Sequence, residues 1–312
     1  MIQASQLKQQ LQPLCIERVT HSPLEHEYFR HYGLDFENQF DTVKHCFGYI
    51  DSCHYKVSCH LYQQPNSQGT WFIMHGYFDH AGLMQHMIRF FLQQGYDVVT
   101  YDLPGHGLST GRPATIPDFS IYSLILEDVL NYHKKHLVHP YHAFGQSTGC
   151  AIITDFLSER VAHNNPLPFE KVVLSAPLIR PCHWNIGRFQ LYFVRLFLKQ
   201  LPRKFTNNSR DLVFLKKTHN DPLTARILPT QWVSALDRWI KKIESKKINI
   251  PLSPLIIQGT KDTTVDANHN IPVLQKLYRD TKILWLKDAR HHLPNELQET
   301  RETYIDWIAK QL

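Results

Sequence analysis

The chain predicts an α/β fold in which a mostly parallel sheet is covered by helices on both faces. An antiparallel hairpin leads it and a helical cap interrupts it. Three observations carry this expectation. Short apolar runs alternate with helical patterns from residue 71 to the C-terminus. One run enters Gly145-Gln146-Ser147-Thr148-Gly149, a Gly-x-Ser-x-Gly turn followed by a helical pattern. The alternation then breaks over residues 178–250, too long a stretch for a loop in a compact domain.

Taken in order, residues 43–63 alternate loosely around a turn near Asp51-Ser52, which reads as the antiparallel hairpin. Trp71–Met74 is a strand and 80–94 a helix; Val98–Tyr101 is a strand and 117–137 a helix. Tyr141–Phe144 leads into the Gly-x-Ser-x-Gly turn and a helix to about Val161. Val172–Ser175, Leu255–Ile257 and Ile283–Leu286 are further strands, with helices near 267–278 and at the C-terminus. Residues 1–177 and 251–312 therefore form the core, and 178–250 the inserted cap. In such sheets functional groups gather at the carboxyl ends of the strands.

Ser147 lies on a strand-to-helix turn whose glycines permit a strained backbone and an exposed hydroxyl. The helix that follows aims its free N–H groups at the same point. A serine needs a base to take its proton, and the base needs a third group to orient it. After one strand comes Gly259-Thr260-Lys261-Asp262, and after the next Lys287-Asp288-Ala289-Arg290-His291-His292. Asp266 competes with Asp262 but directly precedes a helical pattern and reads as an N-cap. His291 and His292 point in different directions, and spacing alone leaves the choice open. His75-Gly76-Tyr77 follows a strand, where the N–H of Tyr77 can join that of Thr148 in an oxyanion hole.

The order Ser147, Asp262, His291 is that of the α/β-hydrolases, and longer motifs narrow the resemblance. His75-Gly-Tyr-Phe-Asp79-His80-Ala-Gly82 is similar to the H-G-x-x-E-H-x-G loop of the monoacylglycerol lipase and lysophospholipase branch, related to the S33 serine aminopeptidases. Asp102-Leu-Pro-Gly105-His106-Gly107-Leu-Ser109-Thr-Gly111 resembles its D-x-x-G-H-G-x-S-x-G string. Asn220-Asp221-Pro222-Leu223 resembles its cap-exit motif, and Ala289-Arg290-His291 its A-R-H ending, which selects His291 as the base. Asp79 stands in place of Glu, Gln146 where His is frequent, and Cys150 where Gly is common. The resemblance implies an α/β-hydrolase fold and hydrolysis of a monoacyl lipid ester through an acyl-enzyme, without metal or cofactor. Acyl transfer and amide hydrolysis use the same machinery, and some relatives of this fold are non-catalytic receptors.

The 312 residues, 43% hydrophobic and 20% charged, are those of a water-soluble globular protein. No apolar leader appears in residues 1–22, and Cys15, Cys46, Cys53, Cys59, Cys150 and Cys182 show no C-x-x-C spacing. Free thiols and a cytoplasmic location are expected, with peripheral contact to the inner face of the membrane. That contact rests on charge: residues 178–217 hold nine basic side chains and one acid, Asp211, against a net charge of +6 for the whole chain. Arg188, Arg195 and Lys199 fall at helical spacing in an apolar segment, as a lipid-binding stripe would. A basic cap disfavours an aminopeptidase, which wants an acidic pocket, and no nucleic-acid motif accompanies the charge. His45-Cys46, Cys53-His54 and Cys59-His60 match no closed zinc site, so no metal is expected.

Overall fold

The computed structural model describes residues 3–17 and 19–312. Two helices precede the sheet, α1 (Ala4–Gln10) and α2 (Pro23–Tyr32). Local chemistry accounts for α2. Ser22 Oγ accepts from Glu25 N while Glu25 Oε2 accepts from Ser22 N, Pro23 occupies the first turn, and Gly33 closes the helix at φ +69°. Its inner face carries Tyr28, Phe29 and Tyr32, all fully buried.

The hairpin is β1 (Lys44–Ser52) and β2 (Tyr55–Gln63). Its loop is Cys53-His54, both at positive φ, the backbone of a type I′ turn. The turn thus falls two residues beyond the expected Asp51-Ser52, because neither loop residue is the Gly or Asn that usually marks it.

Next come β3 (Thr70–Met74), α3 (Gln85–Gln93), β4 (Asp97–Tyr101), α4 (Ser120–His133), β5 (Tyr141–Gln146), α5 (Thr148–Ala162) and β6 (Phe169–Ser175). Between β6 and the next core strand lie α6 (Trp184–Phe197), β7 (Gln200–Pro202), α7 (Leu212–His219), β8 (Ile227–Pro229) and α8 (Thr230–Ser245). The core resumes with β9 (Leu255–Gly259), α9 (Ala267–Leu277), β10 (Lys282–Leu286) and α10 (Gln298–Ala309).

The eight-stranded sheet has the order β1-β2-β4-β3-β5-β6-β9-β10. β1 and β2 are antiparallel to their neighbours and the rest are parallel, as expected for an α/β-hydrolase fold. One apolar cluster packs α4, α5, α8 and α9 on one face, and a second packs α2, α3 and α10 on the other. Trp232, Leu236 and Trp239 of α8 belong to the first, so the interrupting segment is rooted in the core.

Two details of that segment differ from the sequence expectation. α6 stops at Phe197, because the Lys199 carbonyl accepts from Thr230 and Gln200 enters the small β7–β8 sheet. Lys199 therefore leaves the helix, and the row Arg188, Arg195, Lys199 is not one helical stripe. Arg188 also faces Asp237 of α8, Nε to Oδ1 3.7 Å, so part of its charge is met within the protein.

Candidate active site

The β5–α5 turn explains why Ser147 is presented as it is. Ser147 sits at φ 51°, ψ −108°, a strained backbone for a residue with a side chain. Its N–H bonds the Ser175 carbonyl of β6 at 2.9 Å, which anchors the turn. A Cβ on Gly149 would lie 2.2 Å from the Met74 carbonyl oxygen, and one on Gly145 2.6 Å from Cys150 N. Both positions thus require glycine for close packing of helix on strand. Thr148 opens α5, where helical N–H groups have no intrahelical partner.

Ser147 Oγ lies 3.0 Å from His291 Nε2, and His291 Nδ1 lies 2.8 Å from Asp262 Oδ2. The two rival candidates, His292 and Asp266, make their contacts elsewhere. His292 Nε2 stands 3.2 Å from Asp79 Oδ2, and Asp266 accepts from His269 N as the cap of α9. Two glutamines at strand ends hold the chain of three. Gln146 donates to the His291 carbonyl at 2.9 Å, and Gln258 donates to Asp262 Oδ2 at 3.0 Å. Asp262 Oδ1 accepts from Thr264 N and Val265 N. Gln146 stood out in the sequence only as a departure from the family's frequent His, and Gln258 did not stand out because it ends an apolar strand run.

Burial disfavours the Asp262 carboxylate, but the His291 charge and these hydrogen bonds outweigh it and hold its pKa below the usual range. Burial likewise opposes protonation of His291, yet the charge and hydrogen bond of Asp262, with Asp79 behind, raise its pKa above the ordinary value. A base must be neutral to accept a proton. Activity that uses His291 is therefore expected to fall as pH drops through a midpoint above 6.5. Removing the Asp262 charge removes the support for the imidazolium, so Asp262→Asn should move the midpoint of residual activity down. A pH profile of kcat/KM in both proteins checks this.

The loop after β3 brings Tyr77 beside the serine. A Cβ on Gly76 would lie 3.3 Å from Ser147 Cβ and 2.7 Å from Asp79 Oδ2, so only glycine lets the two turns meet. The Tyr77 ring stacks on Trp232 of α8 at 3.6 Å and its hydroxyl donates to the Ala114 carbonyl. His75 donates to the Gly76 carbonyl and accepts from Leu103 N, and its burial lowers its pKa to about 3, so it stays neutral.

The longest motif is architectural. Asp102 accepts from Ala81 N and Leu108 N, and Ser109 Oγ donates to the Asp102 carbonyl while accepting from Ser58 N. Gly107 lies so close to Asp102 that any Cβ would collide with its carboxylate. Asp221 ties the interrupting segment down by accepting from Tyr32 of α2 at 2.8 Å and meeting His80 at 3.1 Å.

Ser147 and His291 open onto a cavity of about 490 Å³, within the range of small-molecule sites. Trp184, Leu191 and Val194 of α6 and Trp232, Val233 and Leu236 of α8 make its wall largely apolar. Arg203 and Lys204 add positive charge to the lining, and Asp79, already facing His292, is the one carboxylate among the described lining residues. Arg203 lies over the Phe78 and Phe205 rings, and its burial lowers its pKa to about 10. The opposite face of α6 is also apolar and turns outward: Ile186, Phe189, Leu196 and Phe197 are 62%, 68%, 66% and 84% exposed. Arg195 and Lys199 are exposed beside it and lie outside the cavity.

The family model described as "Serine aminopeptidase, S33" matches residues 65–298. A monoglyceride lipase homolog of Monkeypox virus is 26% identical over 247 residues, covering 76% of this chain and 86% of the relative. The crystal structure of Paleococcus ferrophilus monoacylglycerol lipase superposes with a TM-score of 0.70 at 18% identity, over 82% of this chain and 100% of that one. A soluble variant of Saccharomyces cerevisiae monoglyceride lipase, in complex with a substrate analog, gives 0.73 at 15% identity, over 88% of this chain and 96% of that one.

Proposed function

The chain belongs to the S33 serine aminopeptidase family of α/β-hydrolases, and from that premise we propose that it is a serine hydrolase cleaving the acyl ester of a monoacyl lipid. The observation that carries this reading is the Ser147–His291–Asp262 chain of hydrogen bonds at an apolar cavity. In the proposed reaction His291 Nε2 takes the Ser147 proton as Oγ attacks the ester carbonyl. The N–H groups of Tyr77 and Thr148 stabilise the tetrahedral oxyanion. His291 then protonates the leaving alcohol, and water, activated by the same imidazole, releases the fatty acid. Residues 178–250 act as the cap that walls the acyl chain from water.

The cavity chemistry argues for an ester over the amide that the family's description suggests. An aminopeptidase site needs a carboxylate free to receive the substrate ammonium. Here Asp79 already faces His292, and Arg203 and Lys204 contribute the opposite charge. The same charge suits a glycerol or phosphate-bearing head better than an amine. Purified protein is expected to turn over 1-acylglycerol or lysophospholipid far faster than any aminoacyl amide. Faster release from the amide would reverse the assignment.

The exposed face of α6 supports peripheral contact with a lipid surface. No helix among the described residues is long and apolar enough to cross a membrane. Because apolar side chains lead this face, replacing Phe189, Phe193 and Phe197 by Ser should weaken vesicle binding at every salt concentration. Replacing Arg188, Arg195 and Lys199 by Gln should weaken it only on anionic vesicles at low salt, since charge attraction fades within about 8–10 Å at ordinary ionic strength. Turnover of a small water-soluble ester should hold in both triple variants. Co-sedimentation with neutral and anionic vesicles separates the two contributions, and unchanged binding by the phenylalanine variant would remove α6 from the membrane contact.

A further inference from the structure

At the outer edge of the sheet, far in sequence from Ser147, three pieces of chain converge. His21 precedes α2, Glu37 lies in the short 3-10 turn Phe36–Asn38, and His45 is on the edge strand β1. One nitrogen of each histidine and a Glu37 carboxylate oxygen lie within 4.8 Å of one another. His45 Nδ1 is 3.4 Å from Glu37 Oε2. The His45 and His21 side chains are 0% and 2% exposed.

The hydrogen bonds on the far sides of the rings fix the proton of His21 and admit two placements for that of His45. His21 Nε2 is 3.1 Å from the His45 carbonyl oxygen, which can only accept, so Nε2 carries the hydrogen and Nδ1 a lone pair. His45 Nε2 pairs with His60 Nδ1 at 3.0 Å, and His60 Nε2 reaches the Tyr28 hydroxyl at 3.4 Å. Two proton placements satisfy this relay: a proton on each Nε2 leaves His45 Nδ1 as a second lone pair, and the reverse points a His45 Nδ1–H at Glu37. His21 Nδ1, His45 Nδ1 and both Glu37 oxygens are buried with no hydrogen-bond partner among the described residues. With the lone pair in place these acceptors are gathered out of water without a donor, an unfavourable arrangement that a cation at the same point relieves.

We propose that His21, Glu37 and His45 bind a divalent transition-metal ion of the zinc type that fastens α2 to the sheet edge. Two imidazoles and a carboxylate are a zinc donor set, and three protein ligands leave a corner for water. Two corners of a tetrahedron with arms of about 2.0–2.1 Å stand roughly 3.3–3.4 Å apart, matching the His45–Glu37 separation. The far-side N–H of His21, held by a backbone carbonyl, is the usual support of a ligating histidine. Of the histidines and cysteines noted in the hairpin sequence, His45 alone supplies a ligand. His21 and Glu37 join it only through the packing of α2.

The test uses the full chain, stripped with a chelator and titrated with Co²⁺ and Zn²⁺. The wild type should bind one equivalent with the visible bands of four-coordinate Co²⁺, and its Tm should rise with added Zn²⁺. Glu37→Gln keeps all 20 histidines and the side-chain shape, and should weaken binding at least about 10-fold and abolish the Tm rise. His21→Gln should do the same, with metal-free circular dichroism matching wild type in both variants. Absence of a bound equivalent in the wild type, or undiminished binding by Glu37→Gln, would overturn the site.

Discussion

Ser147→Ala is expected to lose ester hydrolysis by a factor on the order of 10⁴ or more, because nothing else in the proposed mechanism can form the acyl-enzyme. The fold should survive. The Ser147 hydroxyl has one side-chain partner among the described residues, His291, and the turn is held by backbone bonds and by Gly145 and Gly149, which the substitution leaves in place. The strained φ of 51° belongs to the elbow and is no worse for Ala than for Ser. Turnover with the Tm within a few degrees of wild type is the readout, and activity within 10-fold of wild type would remove the serine mechanism.

The second large effect separates adjacent histidines. His291→Ala should lose nearly as much as the serine variant, because it removes the base that stands 3.0 Å from Ser147 Oγ. His292→Ala should retain most of its turnover and lose thermal stability instead. It strips a partner from Asp79, whose burial opposes its charge while His292, with Arg203 behind, holds its pKa below the usual carboxylate range. Asp262→Asn should fall by about 10⁴-fold, since an amide at that position favours the wrong imidazole tautomer. Asp266→Asn should alter only the capping of α9. Steady-state kinetics of the four variants on one soluble ester decide the matter, and a larger loss for His292→Ala than for His291→Ala would move the proposed base by one residue.

What could be read from the chain follows from how local each feature is. The parallel strands were legible because four consecutive apolar residues, as in Trp71–Met74 or Ile283–Leu286, have no other comfortable home. The elbow was legible because glycine is required at two fixed offsets from Ser147. The choice between His291 and His292 was not local. Spacing left it even, the Ala289-Arg290 resemblance favoured His291, and the distances to Ser147 and Asp79 now distinguish the two side chains. The N-terminal helices went unread although Ser22-Pro23-Leu24-Glu25 is a capping box, because the apolar face of α2 is built from tyrosines among histidines and glutamates. α6 misled for the opposite reason. It is apolar on both sides, so its pattern could not say which row would line the cavity and which would face outward. The meeting of His21 with Glu37 and His45 was invisible for lack of any short spacing. It arises only when α2 folds back on β1.

The central proposal is that Ser147 carries the acyl group, and covalent capture tests it most directly. Intact-protein mass spectrometry after treatment with a fluorophosphonate should show one adduct per chain in the wild type, on the peptide containing Ser147. The His291→Ala variant should react far more slowly and Ser147→Ala not at all. Ester turnover by a protein that takes no adduct, or an adduct that maps to another residue, would contradict the account.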